Sequence, residues 1–183
     1  MNFFHDYFSR ISACVASIGG DANDFVRCVE LLHGVKKSGG KVILVGNGGS
    51  AAIASHVTVD LIKAAQLRAL NFNESALITC FGNDYGYENW VEKAIDAYAD
   101  PQDLIILISS SGKSPNIINA ANRAKEKKLK LLTFSGFSKG NPLRKLGDVN
   151  FWADSVEYNV VEMTHNIWLL ALVDKYIAEN ENI

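Results

Sequence analysis

Cysteine is scarce in this 183-residue chain: Cys14, Cys28 and Cys80 stand far apart and never in a CxxC pair. An odd, dispersed set excludes a paired disulfide framework and a cysteine-based zinc site, and it predicts buried thiols in a reducing compartment. Positive charge is not in excess either. Eighteen Lys and Arg face 20 Asp and Glu, a net charge of −2, so no global electrostatic case for nucleic acid exists. No apolar run reaches the ~18 residues that a membrane span needs. The opening MNFFHDYFSR has no basic start followed by an apolar stretch, so no signal peptide is expected and the expected location is cytoplasmic. Low-complexity segments and internal repeats are also missing.

What is present is an ordinary globular composition, 48% hydrophobic and 21% charged, long enough for one well-filled core. The expected organisation is a single domain over 1–183, with a helical segment at 1–38 and an α/β core at 39–183. Two helical patterns open the chain, at about 2–18 and 22–37, parted by Gly19-Gly20-Asp21, with Asp21 a natural N-cap for the second. Strands are then expected at 41–46 (KVILVG), 75–81 (SALITCF), 103–109 (DLIILIS), 129–135 (LKLLTFS) and 148–153 (DVNFWA). Helices are expected at 50–64, 84–99, 115–128 and about 157–179, with Pro115 in a first helical turn. The basic run at 123–130 fits a solvated helix C-terminus. Such alternation means a five-stranded parallel sheet flanked by helices, with ligands at the carboxyl ends of its strands.

Three polar, glycine-bearing loops fall at those ends: 46–50, 82–86 and 109–114. The last, SSSGKS, ends as a nucleotide-binding loop ends. A Walker A loop needs a glycine five residues before Gly112, and that position is Leu107, inside a strand. The first loop, VGNGGSA, nearly fits a dinucleotide fingerprint through Gly46, Gly48 and Ala51, but no acidic residue ends the following strand; Asp84 lies further on, within a loop. No nucleotide cofactor is therefore expected. A phosphate monoester fits better, because Ser109, Ser110, Ser111 and Ser114 place hydroxyls just before a helix N-terminus, where backbone N–H groups and the helix dipole favour an anion. Asn47 and Ser50 of the first loop, at the start of the first crossover helix, would contact the sugar or a second phosphate oxygen. Lys113 is read as facing solvent at the loop tip.

The combination GNGGSA, H-x-x-x-D on the next helix, GND and SSSGKS resembles the SIS family of sugar isomerase domains, and within it the phosphoheptose isomerase branch. The resemblance implies a three-layer αβα sandwich and an activity that interconverts sedoheptulose 7-phosphate and glycero-manno-heptose 7-phosphate, supplying heptose for surface polysaccharide. It implies that Ser109, Ser110, Ser111 and Ser114 hold phosphate and that Asn47, Gly48, Ser50, Asn83 and Asp84 contact the sugar. It further implies a homotetramer with sites between subunits and the N-terminal helices in the interface.

The same resemblance implies an enediol mechanism with a base and an acid, and in some members zinc or another divalent metal. His56 matches a family metal-site histidine, and Asp60 stands where a glutamate is expected. At i and i+4 they share a helical face, which suits a metal pair or a base with an orienting partner. Glu162 stands where many members have glutamine, and Leu170 where a histidine is expected. His56, Asp60 and Glu162 together have the residue types of an open divalent site. Asp60, Glu162 and His165 are the catalytic candidates. His165, three residues after Glu162, lies roughly 60° away from it around a helix, and an interface or structural role competes with an acid–base one. The two changes at 60 and 170 leave a second reading open: an SIS protein without turnover that binds a sugar phosphate or a protein partner, as the replication-initiator-associating protein does. Trp90, Trp152 and Trp168 are read as core or interface, His5 and His33 as surface or interface.

Overall fold

A computed structural model describes residues 2–17 and 22–180. The expected separator Gly19-Gly20-Asp21, with its N-cap, lies outside the described residues. The elements run α1 (Phe3–Ala16), α2 (Ala22–Ser38), β1 (Val42–Gly46), α3 (Gly49–Lys63), β2 (Ala69–Asn71), α4 (Ser75–Tyr85), α5 (Trp90–Tyr98), β3 (Leu104–Ser109), α6 (Pro115–Glu126), β4 (Lys130–Ser135), a 3-10 turn (Leu143–Lys145), β5 (Val149–Trp152) and α7 (Tyr158–Asn180). The sheet is parallel throughout, in the order β2-β1-β3-β4-β5.

Every residue of β1 and β3 is buried, as continuous apolar strands covered on both faces must be. Their side chains divide by the period of two. Val42, Leu44, Leu104, Ile106 and Ile108 enter one core with α2, α3 and α7. Ile43, Val45, Ile105 and Leu107 enter the other with α5 and α6. Each fully buried side chain of this kind contributes roughly 1.5–3 kcal/mol. The edge strand β5 shows the alternation of a partly covered strand: Val149 and Phe151 are buried, Asn150 and Trp152 half-buried. The helix α1 is tied to α7 where the Trp168 indole N–H donates to the Val15 carbonyl at 3.0 Å. Cys14 and Cys28 are buried as expected, whereas Cys80 lies exposed on α4.

One element departs from expectation. Residues 75–81 are not a strand but the body of α4. The Glu74 carboxylate accepts from the Ala76 and Leu77 amides at 3.0 and 2.7 Å, capping the helix start. Those hydrogen bonds hold the Glu74 carboxyl below its ordinary pKa. Leu77, Ile78 and Phe81 then face the core at helical spacing. The true second strand is the three-residue Ala69–Asn71, which pairs with β1 from Val42↔Ala69 to Leu44↔Asn71. The expected helix at 84–99 is accordingly shorter, starting at Trp90 after a turn at Gly86.

At the amino end of the sheet, Lys41 is held by two acids. Its Nζ lies 2.7 Å from Asp100 and 2.5 Å from the fully buried Asp103, whose Oδ1 also accepts the Lys41 amide. Removing the cation leaves a buried carboxylate uncompensated, which typically costs about 3 kcal/mol. Lys41→Met should therefore lower the melting temperature by about 6–12 °C, measured by thermal denaturation. A change under about 2 °C would mean that the backbone N–H groups alone satisfy Asp103.

Candidate active site

β1 and β3 are direct neighbours, paired from Val42↔Leu104 to Gly46↔Ile108. The helix after β1, α3, packs on one face of the sheet, and the helix after β3, α6, on the other. The chain diverges here, and a crevice opens outside the carboxyl ends of the two strands. It is a cleft of about 290 Å³. Its floor is the starts of α3 and α6, with Asn47, Gly48, Gly49 and Ser50 on one side and Ser109, Ser110, Ser111 and Ser114 on the other; Tyr158 and Glu162 of α7 form a wall.

The serine loop is built from a tight turn. The Gly112 amide donates to the Ser109 carbonyl at 2.9 Å, and Gly112 sits at φ +61°, in the left-handed region that favours glycine. A methyl group there would also overlap the Asn141 amide beneath it. Asn141 is buried and donates from Nδ2 to Ser135 Oγ and to the Gly136 and Ser138 carbonyls at 2.9–3.2 Å. Ser109 and Ser110 are buried, and Ser109 Oγ donates to Ser114 Oγ at 3.3 Å, closing the loop on itself. The Ser114 hydroxyl does not cap its own helix, and Gly48 has no side chain with which to cap α3. Both helix starts are thus open toward the cleft, an arrangement suited to an anion. Lys113 is exposed at the tip, as expected.

Glu162 is the one charged residue in the lining. It rests directly on Gly49, where any side chain would overlap its carboxylate. Burial raises its carboxyl above the ordinary glutamate range. Behind the cleft, the Asn47 and Asn116 side-chain amides pair reciprocally at 3.0 and 2.9 Å, and the Tyr87 hydroxyl donates to Asn47 Oδ1 at 3.2 Å. Asn116, Tyr87 and Tyr158 had no place in the sequence reading. Asn116 could have been noticed as a polar residue in the first turn of the helix that the serine loop opens. Tyr158 is one helical turn before Glu162, so a reading of α7 by 3.6-residue period would have placed both on one face.

The structure brings Asn47, Gly48, Ser50, Ser109, Ser110, Ser111, Ser114 and Glu162 together around one cleft. Other expected site residues lie elsewhere. Asn83 and Asp84 are exposed in the last turn of α4, bonded to each other at 2.9 Å, because the segment before them is helix and not a strand ending at the cleft. His165 is wholly buried and does not line the cleft. Its Nε2–H donates to the Ser135 carbonyl at 2.9 Å, and its ring packs near Phe134 and Trp168. Burial pushes its pKa down to about 4, so it is neutral. From the core it holds the end of β4. His56 and Asp60 form a pair at 3.4 Å on a partly exposed face of α3. They do not meet Glu162: Gly49, on which Glu162 rests, starts α3, and Asp60 lies about 16 Å further along that helix at 1.5 Å per residue. Among the described residues no group of three or more His, Cys, Asp or Glu could hold a metal ion. The set His56, Asp60 and Glu162 therefore does not fit a divalent ion within one chain.

A family model described as the SIS domain matches residues 6–136. The chain belongs to the SIS domain family. It is 32% identical over 176 residues to a phosphoheptose isomerase of Syntrophotalea carbinolica, a match covering 92% of this chain and 89% of that protein. Its fold superposes on the phosphoheptose isomerase of Neisseria gonorrhoeae with a TM-score of 0.86 at 25% identity, covering 94% of this chain and 97% of that one. A phosphoheptose isomerase from Francisella tularensis gives the same TM-score and identity, with 96% of each chain covered. In this SIS domain the sheet is the five-stranded parallel one the sequence implied, between two helical layers.

The raised pKa of Glu162 makes a prediction about stability. A carboxyl whose folded pKa is raised stabilises the fold most below its unfolded value, about 4.3, and loses that contribution as pH rises through the folded value. Glu162→Gln, which cannot ionise, should thus raise the melting temperature of the unliganded protein at pH 7.5 and leave it unchanged near pH 4. A lower melting temperature at pH 7.5 would show the carboxylate to be held by favourable contacts instead.

Proposed function

We propose that this protein is a phosphoheptose isomerase, converting sedoheptulose 7-phosphate to glycero-manno-heptose 7-phosphate. The observation that carries this reading is the cleft itself: two open helix starts and five serines on its floor, with one carboxylate, Glu162, on its wall. The floor is neutral and rich in donors, which suits a phosphate monoester. A heptose extending from that phosphate would run past Asn47 and Ser50 toward Glu162 and Tyr158. The names of the relatives agree with this substrate class.

The reaction moves one proton between adjacent carbons. A base takes a proton from C1 of the ketose, giving an enediol; the proton is returned at C2, while the hydroxyl proton passes from O1 to O2, leaving the carbonyl at C1. Glu162 is the base this chain offers in its own cleft, and its raised pKa brings it closer to the neutral range in which a base works best. Asp60 is the other candidate, with His56 orienting it. It can serve a cleft only in an assembly, where α3 of one copy faces the cleft of another. Exposed Phe3, Phe4 and Phe8 on α1 and Val59 and Ile62 on α3 support such an assembly, because apolar side chains this open in one chain favour burial against a partner. A homotetramer with shared sites, in the cytoplasm, completes the proposal, and a zinc or other divalent ion would belong to such a shared site only.

Incubation with sedoheptulose 7-phosphate, followed by NMR with and without zinc or a chelator, should show the aldose appearing. Ser111→Ala should raise KM about tenfold, the cost of one hydrogen bond to a charged group. Of Asp60→Asn and Glu162→Gln, the one that removes the base should lower kcat by about 10²–10⁴-fold. Intact sugar-phosphate binding without turnover under any condition would favour the second reading, a binding protein. Leu170 gives that reading its one structural support, since it packs half-buried against the core where a histidine is expected.

A further inference from the structure

Asn116 is 1% exposed, one residue beyond Pro115 in the first turn of α6, and its side chain reaches across the cleft floor to the start of α3. The amide of Asn47 has four hydrogen-bonding positions: two N–H donors and two lone pairs on Oδ1. Both lone pairs are occupied, one by Asn116 Nδ2–H at 2.9 Å and one by the Tyr87 hydroxyl at 3.2 Å. One of its two N–H groups is occupied by Asn116 Oδ1 at 3.0 Å. What remains, on a half-buried residue lining the cleft, is a single N–H.

We propose that Asn116 and Tyr87 are positioning residues that fix the Asn47 amide as a hydrogen-bond donor only, aimed at a sugar oxygen that gains negative charge during the reaction. The inference rests on the isomerase reading of the cleft and deepens it. A free asparagine presents either its oxygen or its nitrogen to a ligand, and rotation by half a turn about the last side-chain bond exchanges them. The reciprocal pair with Asn116 alone would survive a concerted rotation of both amides. The Tyr87 hydroxyl weights one orientation: it donates to the oxygen as the pair stands, and after rotation it would meet an N–H and could only accept, which a phenol oxygen does more weakly than it donates. A donor held in advance at an enediol oxygen stabilises charge without the cost of reorienting during the reaction. The same three residues link the start of α3, the start of α6 and the turn after α4, so that turn acts on the cleft through Tyr87 although Asn83 and Asp84 do not reach it.

Two variants test this. Tyr87→Phe removes one hydroxyl from a 56% exposed side chain and does not endanger folding. Asn116→Ala removes the reciprocal pair. With sedoheptulose 7-phosphate, Tyr87→Phe should lower kcat by about threefold and Asn116→Ala by about tenfold or more, consistent with one and two lost neutral hydrogen bonds. The dissociation constant for inorganic phosphate, titrated by NMR, should stay within about twofold of the parent in both. A kcat within twofold of the parent in both variants overturns the proposal. So does a fall in kcat matched by an equal loss of phosphate affinity, which would mark a merely structural role. The side-chain NH₂ signals of Asn47 give a readout that does not depend on turnover. Sedoheptulose 7-phosphate should shift one of the pair and inorganic phosphate neither, and in Asn116→Ala the pair should broaden. If the parent shows that pattern but no turnover, the isomerase reading fails while the donor assignment stands; if the signals ignore the sugar, the donor assignment fails.

Discussion

The pairing of β1 with β3 makes neighbours of two strands whose following helices leave the sheet on opposite faces. Because the backbone hydrogen bonds of a parallel ladder fix register, Gly46 and Ile108 end side by side, and the loops beyond them have nowhere to go but apart. The gap they leave is floored by two helix starts. The parallel ladder that arranges this is also the most deeply buried part of the molecule, with every residue of both strands inside. Stability and site share one cause.

Two close approaches then shape the cleft. At Gly49, α3 comes so near α7 that only hydrogen fits, and the Glu162 carboxylate occupies the space. At Gly112, the serine turn lies on the buried Asn141 amide, which in turn binds the end of β4. His165 works on the same support from below by holding the Ser135 carbonyl. Buried polar side chains with several partners are costly to disturb, so the cleft serines stand on a braced platform. The carboxylate of Glu162, by contrast, sits in a partly dry place with its charge disfavoured. A braced donor floor and a destabilised carboxylate are the pairing that proton transfer on a sugar phosphate asks for.

Much of this was legible in the sequence because it depends on local pattern. Continuous apolar runs gave β1, β3 and β4, and the serines before Pro115 gave the loop at the start of α6 that lines the cleft. The stretch at 75–81 misled because Ile78 and Thr79 favour strands while the deciding feature, the Glu74 cap, is a side-chain geometry. Ala69–Asn71 was too short to announce itself. The Asn47–Asn116 pair joins residues 69 positions apart and could not be read from spacing. Nor could the separation of Asp60 from Glu162, which follows from where α7 crosses α3. His165 was legible only as a histidine near Glu162 in sequence; three residues along a helix turned it away from the cleft and into the core.

The central claim is that the phosphate of a heptose phosphate rests on the joined starts of α3 and α6. A crystal structure of the protein soaked with sedoheptulose 7-phosphate tests it most directly. The phosphate should lie within hydrogen-bond distance of the Ser109, Ser111 and Ser114 hydroxyls, with the sugar leading past Asn47 toward Glu162. A phosphate bound instead at the opposite end of the sheet, among the lysines at 125, 128, 130 and 145, would contradict it.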